Sequence, residues 1–373
     1  MGNLYLSFLG TNDYLPCTYF SEDGREVPDV RFVQEATARL CCENWSRDDK
    51  VIIFTTEEAY RKNWIDDGHK DYKGNTLSRT GLKTCLARCD LQPKIQHISI
   101  PEGKSEGEIW RIFQIVFDCI QSEDHVIFDI THAFRSIPML ALVVLTYAKT
   151  LRGASIEGIW YGAFEALGPL GQVAAMPLPE RRVPIFSLGA FVTLMDWSMA
   201  IEQFVQSGDA RPICSLAQNK VKPILRDTKG RDQSAVAIRD LADKLEAFTE
   251  ALSTCRGKDI SRLGSELHLK ISRCRNAELL PPLLPLLDLL EKGVYNFIGN
   301  EVYDGLQAVR WCMSHGLTQQ AYTILREVLI THFAENAGVD PKVREQREAA
   351  TYALYKSISK ETVAPREEDQ SAI

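Results

Sequence analysis

The sequence predicts two architectures in succession, a doubly wound α/β sheet with parallel strands at its centre and then an all-helical half. Three observations carry this. Short apolar runs of strand length alternate with helical stripes through the first 160 residues, the pattern of a parallel sheet covered by helices on both faces. The stretch 126–138, VIFDITHAFRSIP, reads as buried strand, polar turn and buried helix. From about Leu188 helical stripes dominate, with no strand pattern among them.

In chain order, 4–9 (LYLSFL) is an apolar run short enough for a buried strand, and Gly10-Thr11-Asn12-Asp13-Tyr14 leaves it as a turn-forming loop. Thr11 and Asn12 suit close contact with a ligand's phosphate or ribose, although a plain turn accounts for the same residues. A helix is expected over 35–45, a second strand over 50–55 (KVIIFT), and another helix from Thr56. The polar, glycine-containing region 62–80 is expected at the surface. A third strand at 94–100 is followed by a helix over 105–120, with Ser105 as cap, Glu108 three residues on, and Ile109, Ile112, Phe113 and Val116 as its apolar stripe. The fourth strand opens the 126–138 stretch. Ser136 can cap the helix after it, and Pro138 falls where a first-turn proline is tolerated. That helix start points free N–H groups back at the turn, a receptor for an anion. A fifth strand lies at 155–161, and an extended segment around 182–186 returns as a hairpin.

Helices are expected at 188–204, 235–252, 301–313 and 319–333. The basic stretch 218–233 reads as a mobile loop. The segment 279–290 begins non-helical because of Pro281, Pro282 and Pro285. Residues from Ser357 read as a frayed tail. The division into domains is placed at 1–187 and 188–373.

With 373 residues and an apolar fraction of 45%, the chain has enough material for two cores. A formal charge of −7 gives no overall attraction to nucleic acid or anionic membrane, so a phosphate-bearing ligand has to be held by local groups. The start, MGNLYLSFLG, has no basic n-region, and the apolar runs at 139–148 and 279–290 are too short or too proline-interrupted to span a bilayer. A cytoplasmic protein without membrane contact is expected. Ten cysteines are scattered without a CxxC pair, so reduced, structural thiols and no metal are expected, even though Cys85 and Cys89 stand four apart. No GxGxxG follows the first strand and no GxxxxGK[ST] occurs, which argues against a dinucleotide redox cofactor or a P-loop nucleotide.

In doubly wound sheets, ligands sit outside the carboxyl ends of the strands where strand order reverses. The loops at 10–14 and 131–136 both leave carboxyl ends and are the natural pair to share a site. FLGTNDY after the first strand and DITHAFR after the fourth resemble the CRISPR-associated proteins with a Rossmann-like CARF sensor domain, in particular the DxTHG subgroup. The stretch GLTQQAYTILREVLITHFAE is similar to the helical HEPN-type domain that follows in that subgroup. The resemblance implies a homodimeric sensor of cyclic oligoadenylate in type III CRISPR defence, with no cofactor, whose ligand switches on a single-stranded RNA ribonuclease in the helical half. Carried over by position, Gly10, Thr11, Asn12 and Asp13 line the ligand from one loop, and Thr131, His132, Ala133, Phe134, Arg135 and Ser136 from the other. The family's glycine is Ala133 here. Asp129, at a buried strand end, is expected to fasten the loop. His132 has a rival reading as the residue that cleaves the bound ring, which would make the chain a ring nuclease. A Ser136–His132–Asp129 relay is disfavoured, because three neighbours on one turn rarely reach the mutual geometry it needs.

A HEPN nuclease needs an arginine and a histidine four to six residues apart, converging on the scissile phosphate. Arg310 with His315, Arg326 with His332, and Arg262 with His268 meet the bare spacing. His315 also reads as a last-turn histidine facing the helix dipole. Arg326 and His332, six apart on one helix, point about 120° away from each other. Arg275-Asn276 matches the start of the usual motif, but no histidine follows at a suitable distance. A non-catalytic regulator that grips a partner protein when ligand binds is therefore the third reading.

Overall fold

The computed structural model describes residues 2–131, 137–275 and 284–362. The chain divides into two compact units, Met1–Thr193 and Leu194–Ile373.

The first unit runs β1 (Asn3–Leu9), β2 (Cys17–Ser21), β3 (Glu26–Val30), α1 (Val33–Cys42), β4 (Lys50–Thr55) and α2 (Glu57–Ala59), which widens into a π turn at Tyr60–Trp64. Then come β5 (His69–Lys70), β6 (Thr76–Leu77), α3 (Leu82–Ala87), β7 (Lys94–Ser99), α4 (Glu106–Cys119) and β8 (His125–Asp129). The unit continues with α5 (Ile137–Arg152), β9 (Ser155–Gly162), α6 (Leu170–Ala175), β10 (Arg182–Ser187) and the start of α7 (Gly189–Ser207). An eight-stranded sheet has the order β3-β2-β10-β9-β8-β1-β4-β7. From β9 to β7 the neighbours are parallel.

Both sheet faces are covered, which is why β1 is an almost unbroken apolar run. Leu4, Leu6 and Phe8 pack with Val126 and Phe128 against Ile112 and Val116 of α4 and Val144 and Leu145 of α5. Tyr5 and Leu9 pack with Val51 and Ile53 on the other face, beneath α1 and α3. The chain moves from β1 outward to β4 and β7, then returns to lay β8 on the opposite side of β1. Strand order therefore reverses between β1 and β8, and Ser7 stands opposite Asp129 at their carboxyl ends. The five parallel strands and the antiparallel return of β10 on β9 match the sequence reading.

Two parts of the first unit depart from that reading. The β2–β3 hairpin was not anticipated: its strands are five residues long, and Pro28 lies in β3, an edge strand where a missing N–H is tolerated. The region 62–80, expected at the surface, carries the β5–β6 ribbon and buries Asn63, Trp64 and His69.

The second unit stacks α8 (Arg211–Asp227), α9 (Gln233–Ser253), α10 (Gly257–Arg275), α11 (Leu284–Val294), α12 (Glu301–Ser314), α13 (Thr318–Asn336) and α14 (Arg344–Thr362). Its core includes Phe248, Leu252, Leu267, Phe297 and Trp311. Most of the stretch expected as a mobile loop, 218–233, is helical. α8 runs through Pro223 to Asp227 because its apolar stripe, Ile213, Cys214, Ala217 and Val221, is buried; only the turn around Lys229 and Gly230 has positive φ. Residues 276–283, with Asn276, Pro281 and Pro282, lie outside the described residues, and the chain is helical again from Leu284.

Candidate functional site at the switch point

Asp129 is fully buried at the end of β8 and gathers the elements around it. Its Oδ1 accepts from the Thr131 N–H (3.0 Å) and the Thr131 hydroxyl (2.6 Å). Its Oδ2 accepts from Ser7 Oγ (3.1 Å), with Tyr5 Oη at 3.1 Å and Thr37 Oγ1 at 3.3 Å. Tyr5 and Thr37 are themselves 2.5 Å apart. Because one of these two hydroxyls must donate to the other, the pair supplies the carboxylate with at most one hydrogen, and Thr37 Oγ1 also has the Val33 carbonyl at 2.9 Å. Thr131 Oγ1 in turn accepts from the Gly162 N–H (2.8 Å). One carboxylate thus ties β1, α1, β8 and the end of β9 together. Burial raises its pKa above the ordinary carboxylate value, against the opposing pull of the Thr131, Ser7 and Tyr5 hydrogen bonds.

The loop after β1 is held from below by residues that sequence reasoning did not single out. Asn63, wholly buried, donates from Nδ2 to the carbonyls of Gly10 (2.9 Å) and Asn12 (2.9 Å). Its Oδ1 accepts from His69 Nε2 (2.9 Å), and burial depresses the pKa of that histidine. Arg31, with only 10% of its side chain exposed, donates to the carbonyls of Tyr14 and Thr80 and pairs with Asp13 at 2.7 Å. Arg79 pairs with the same carboxylate at 3.1 Å. Burial alone would raise the pKa of Asp13, but Arg79 and Arg31 outweigh it and hold it below the ordinary value. Gln34 Nε2 donates to the Phe8 carbonyl (2.7 Å) at the end of β1.

After this fastening, the side chains of Thr11 and Asn12 make no hydrogen bond among the described residues, and both are at least partly exposed. Asp13 is committed to two guanidinium groups. Thr131 is committed to Asp129 and Gly162, so its visible part is to position the second loop. Two buried polar atoms, Gln34 Oε1 and Trp160 Nε1, have no partner among the described residues; Trp160 stands in register with Asp129. His132, Ala133, Phe134, Arg135 and Ser136 lie outside the described residues, and with them the ring-cleaving reading of His132. The helix after them, α5, begins at Ile137.

The arginine–histidine pairs of the helical unit differ in placement. Arg326 donates to Tyr355 Oη (2.9 Å), while His332 Nε2 is 3.0 Å from Asn336 Nδ2, on an unbroken α13. Arg262 is ion-paired with Asp259 and Glu266, and His268 packs edge-on against Tyr295. Arg310 and His315 line one cavity, with His315 at the carboxyl cap of α12.

All ten cysteines are free thiols. Burial pushes the pKa of Cys41 and of Cys85 up to about 12, which leaves both thiols protonated near neutrality. No described helix is long and apolar enough to cross a membrane.

A doubly wound sheet with two loops leaving adjacent parallel strands at the reversal of strand order is a ligand-binding α/β domain. Residues 4–165 match the CARF domain of the CRISPR system endoribonuclease Csx1. The chain is also 24% identical over 263 residues to the CRISPR-associated protein MJ1674 of Methanocaldococcus jannaschii, across 61% of this chain and 40% of that protein. It thus spans less than half the length of the curated relative it matches. Residues 4–165 are thus CARF-like, and the chain as a whole is similar to a CRISPR-associated protein.

Proposed function

We propose that this protein is a cytoplasmic, homodimeric sensor of cyclic oligoadenylate in type III CRISPR defence, of the DxTHG subgroup, with the sheet domain (1–187) as receiver and the HEPN-like helical domain (188–373) as output. The observation that carries the reading is the loop after β1. Buried Asn63 and Arg31 fix its backbone while Thr11 and Asn12 keep unused hydrogen-bonding groups at the switch point. Such a rim suits a ring rich in ribose hydroxyls and base edges. Gly10, Asp13 and the 131–136 loop complete the ligand wall, with Arg135 and the N–H groups at the start of α5 as phosphate holders.

The homodimer draws support from α5, which begins beside the second loop. Met139, Val143 and Leu151 are 74%, 58% and 58% exposed at helical spacing, an apolar stripe that a second copy can cover by two-fold pairing. The output to test first is ligand-activated cleavage of single-stranded RNA. A ring nuclease using His132, or a regulator of a partner protein, is the alternative that the same assay separates.

The test is binding of cyclic tetra- and hexa-adenylate to the wild-type chain and to a Thr11→Ala/Asn12→Ala variant. Loss of two to three ligand hydrogen bonds weakens binding about tenfold or more. Unchanged affinity in the variant refutes the assignment of the loop.

A further inference from the structure

The helical unit holds a cavity of about 490 Å³ lined by residues of α7, α11 and α12, within the size range of small-molecule sites. No carboxylate is among its lining residues, although the chain as a whole is acidic. Phe204, Phe297 and Trp311 form buried aromatic wall. His315 lies over Trp311 with ring centroids 4.0 Å apart and planes 33° apart. His315 Nδ1 is 2.7 Å from the Trp311 carbonyl, which can only accept, so the ring donates there and its orientation is fixed.

Gln307 adds a polar group to the aromatic wall. It is 7% exposed and lines the cavity, and its side-chain amide makes no hydrogen bond among the described residues. The residue is buried as a whole while its amide stays open to the cavity, where it can both donate to and accept from a ligand. Arg310 and Lys292 also line the cavity, exposed and free of any ion pair among the described residues. Among the other arginines of the unit, Arg262 pairs with Asp259 and Glu266, Arg275 with Asp288 and Glu291, and Arg347 with Glu327, whereas Arg231 and Arg273, like Arg310, have no ion pair among the described residues.

We infer that this cavity binds a nucleobase carrying a phosphate. The planar base stacks on His315, which Trp311 backs; Gln307, donor and acceptor at once, bonds the base edge; Arg310 and Lys292 hold the phosphate. The inference needs neither the cyclic ligand nor any cleavage; because Arg310 and His315 are also one of the candidate nuclease pairs, its RNA form rests on the proposed helical output, whereas binding of a free nucleotide does not. The same chemistry is offered by a free mononucleotide and by one residue of a single-stranded RNA.

Calorimetric titration of the full chain with adenosine 5′-monophosphate, adenosine, ribose 5-phosphate and a five-nucleotide RNA tests it. The monophosphate is expected to bind, with adenosine and ribose 5-phosphate each about tenfold weaker or worse. Arg310→Gln, at an exposed position, should weaken the monophosphate about tenfold without altering the fold. Gln307→Glu is an isosteric second variant that sets a carboxylate in the wall and should weaken it as well. Tighter binding of the RNA assigns the site to a strand, and equal binding assigns it to the free nucleotide. The inference is overturned if neither phosphate-bearing probe binds, if Arg310→Gln leaves both affinities unchanged, or if ribose 5-phosphate binds as well as the monophosphate.

Discussion

Replacing Asp129 probes the floor of the site directly, because the outcome depends on which donors lose their acceptor. Asp129→Ala strands the Thr131 N–H, the Thr131 and Ser7 hydroxyls and at most one hydrogen of the Tyr5–Thr37 pair, all at a fully buried position. The three hydroxyls can partly reorient, whereas the N–H cannot, so the expected loss is about 3–5 kcal/mol rather than the sum of four separate penalties. For a unit of this size that lowers its melting temperature by about 10 °C. Asp129→Asn keeps an oxygen for both Thr131 donors and offers its amide to Ser7 and Tyr5, whose oxygens can accept, so its loss is about 1–2 kcal/mol. The pH dependence has a definite sign. Since the native pKa is raised, the native state binds more protons than the unfolded one between the ordinary carboxylate range and the native value, and wild-type stability falls as pH rises through that window. The asparagine variant lacks this slope, so its deficit is largest in acid and narrows toward neutrality. Thermal unfolding of both variants from pH 4 to 8 reads the effect. An alanine variant within 1 kcal/mol of wild type, or an asparagine variant as damaged as the alanine one, refutes the reasoning.

Three further outcomes follow from single contacts. Asp13 is held below its ordinary pKa in the fold, so its contribution is present above that value and is lost as pH falls through the native one; Arg79→Ala should move its titration upward, which carboxyl NMR would record. A methyl at Gly162 would lie 2.5 Å from Cγ2 of Val33, a wholly buried residue at the start of α1, so Gly162→Ala should cost about 1–3 kcal/mol in chemical denaturation. Val143→Asp places a charge in the exposed stripe of α5 and should convert dimer to monomer in sedimentation without loss of helix content.

The central sheet was legible because parallel strands buried on both faces are apolar runs bounded by turns, as in LYLSFL and KVIIFT. The switch point followed from their order. The β2–β3 hairpin was hidden because both strands are short and β3 is charged and interrupted by Pro28. In α8, Pro223 and flanking basic residues masked a buried stripe that tertiary packing makes decisive. At the site, Asp129 was legible as the residue that fastens the loop, because a carboxylate at a buried strand end needs donors; its partners Ser7, Tyr5 and Thr37 were not. Asn63, His69 and Arg31 left no signal, since a polar residue in a polar stretch does not reveal that it is buried. Their role comes from long-range contacts, such as Asn63 with Gly10, that only the folded chain supplies.

The measurement closest to the central claim is calorimetric titration of the purified chain with cyclic tetra- and hexa-adenylate, read with sedimentation and with the integrity of the ring. The account predicts saturable binding of one of the two rings at one ring per two chains. Absence of binding by both, under conditions where the chain is folded, would contradict it.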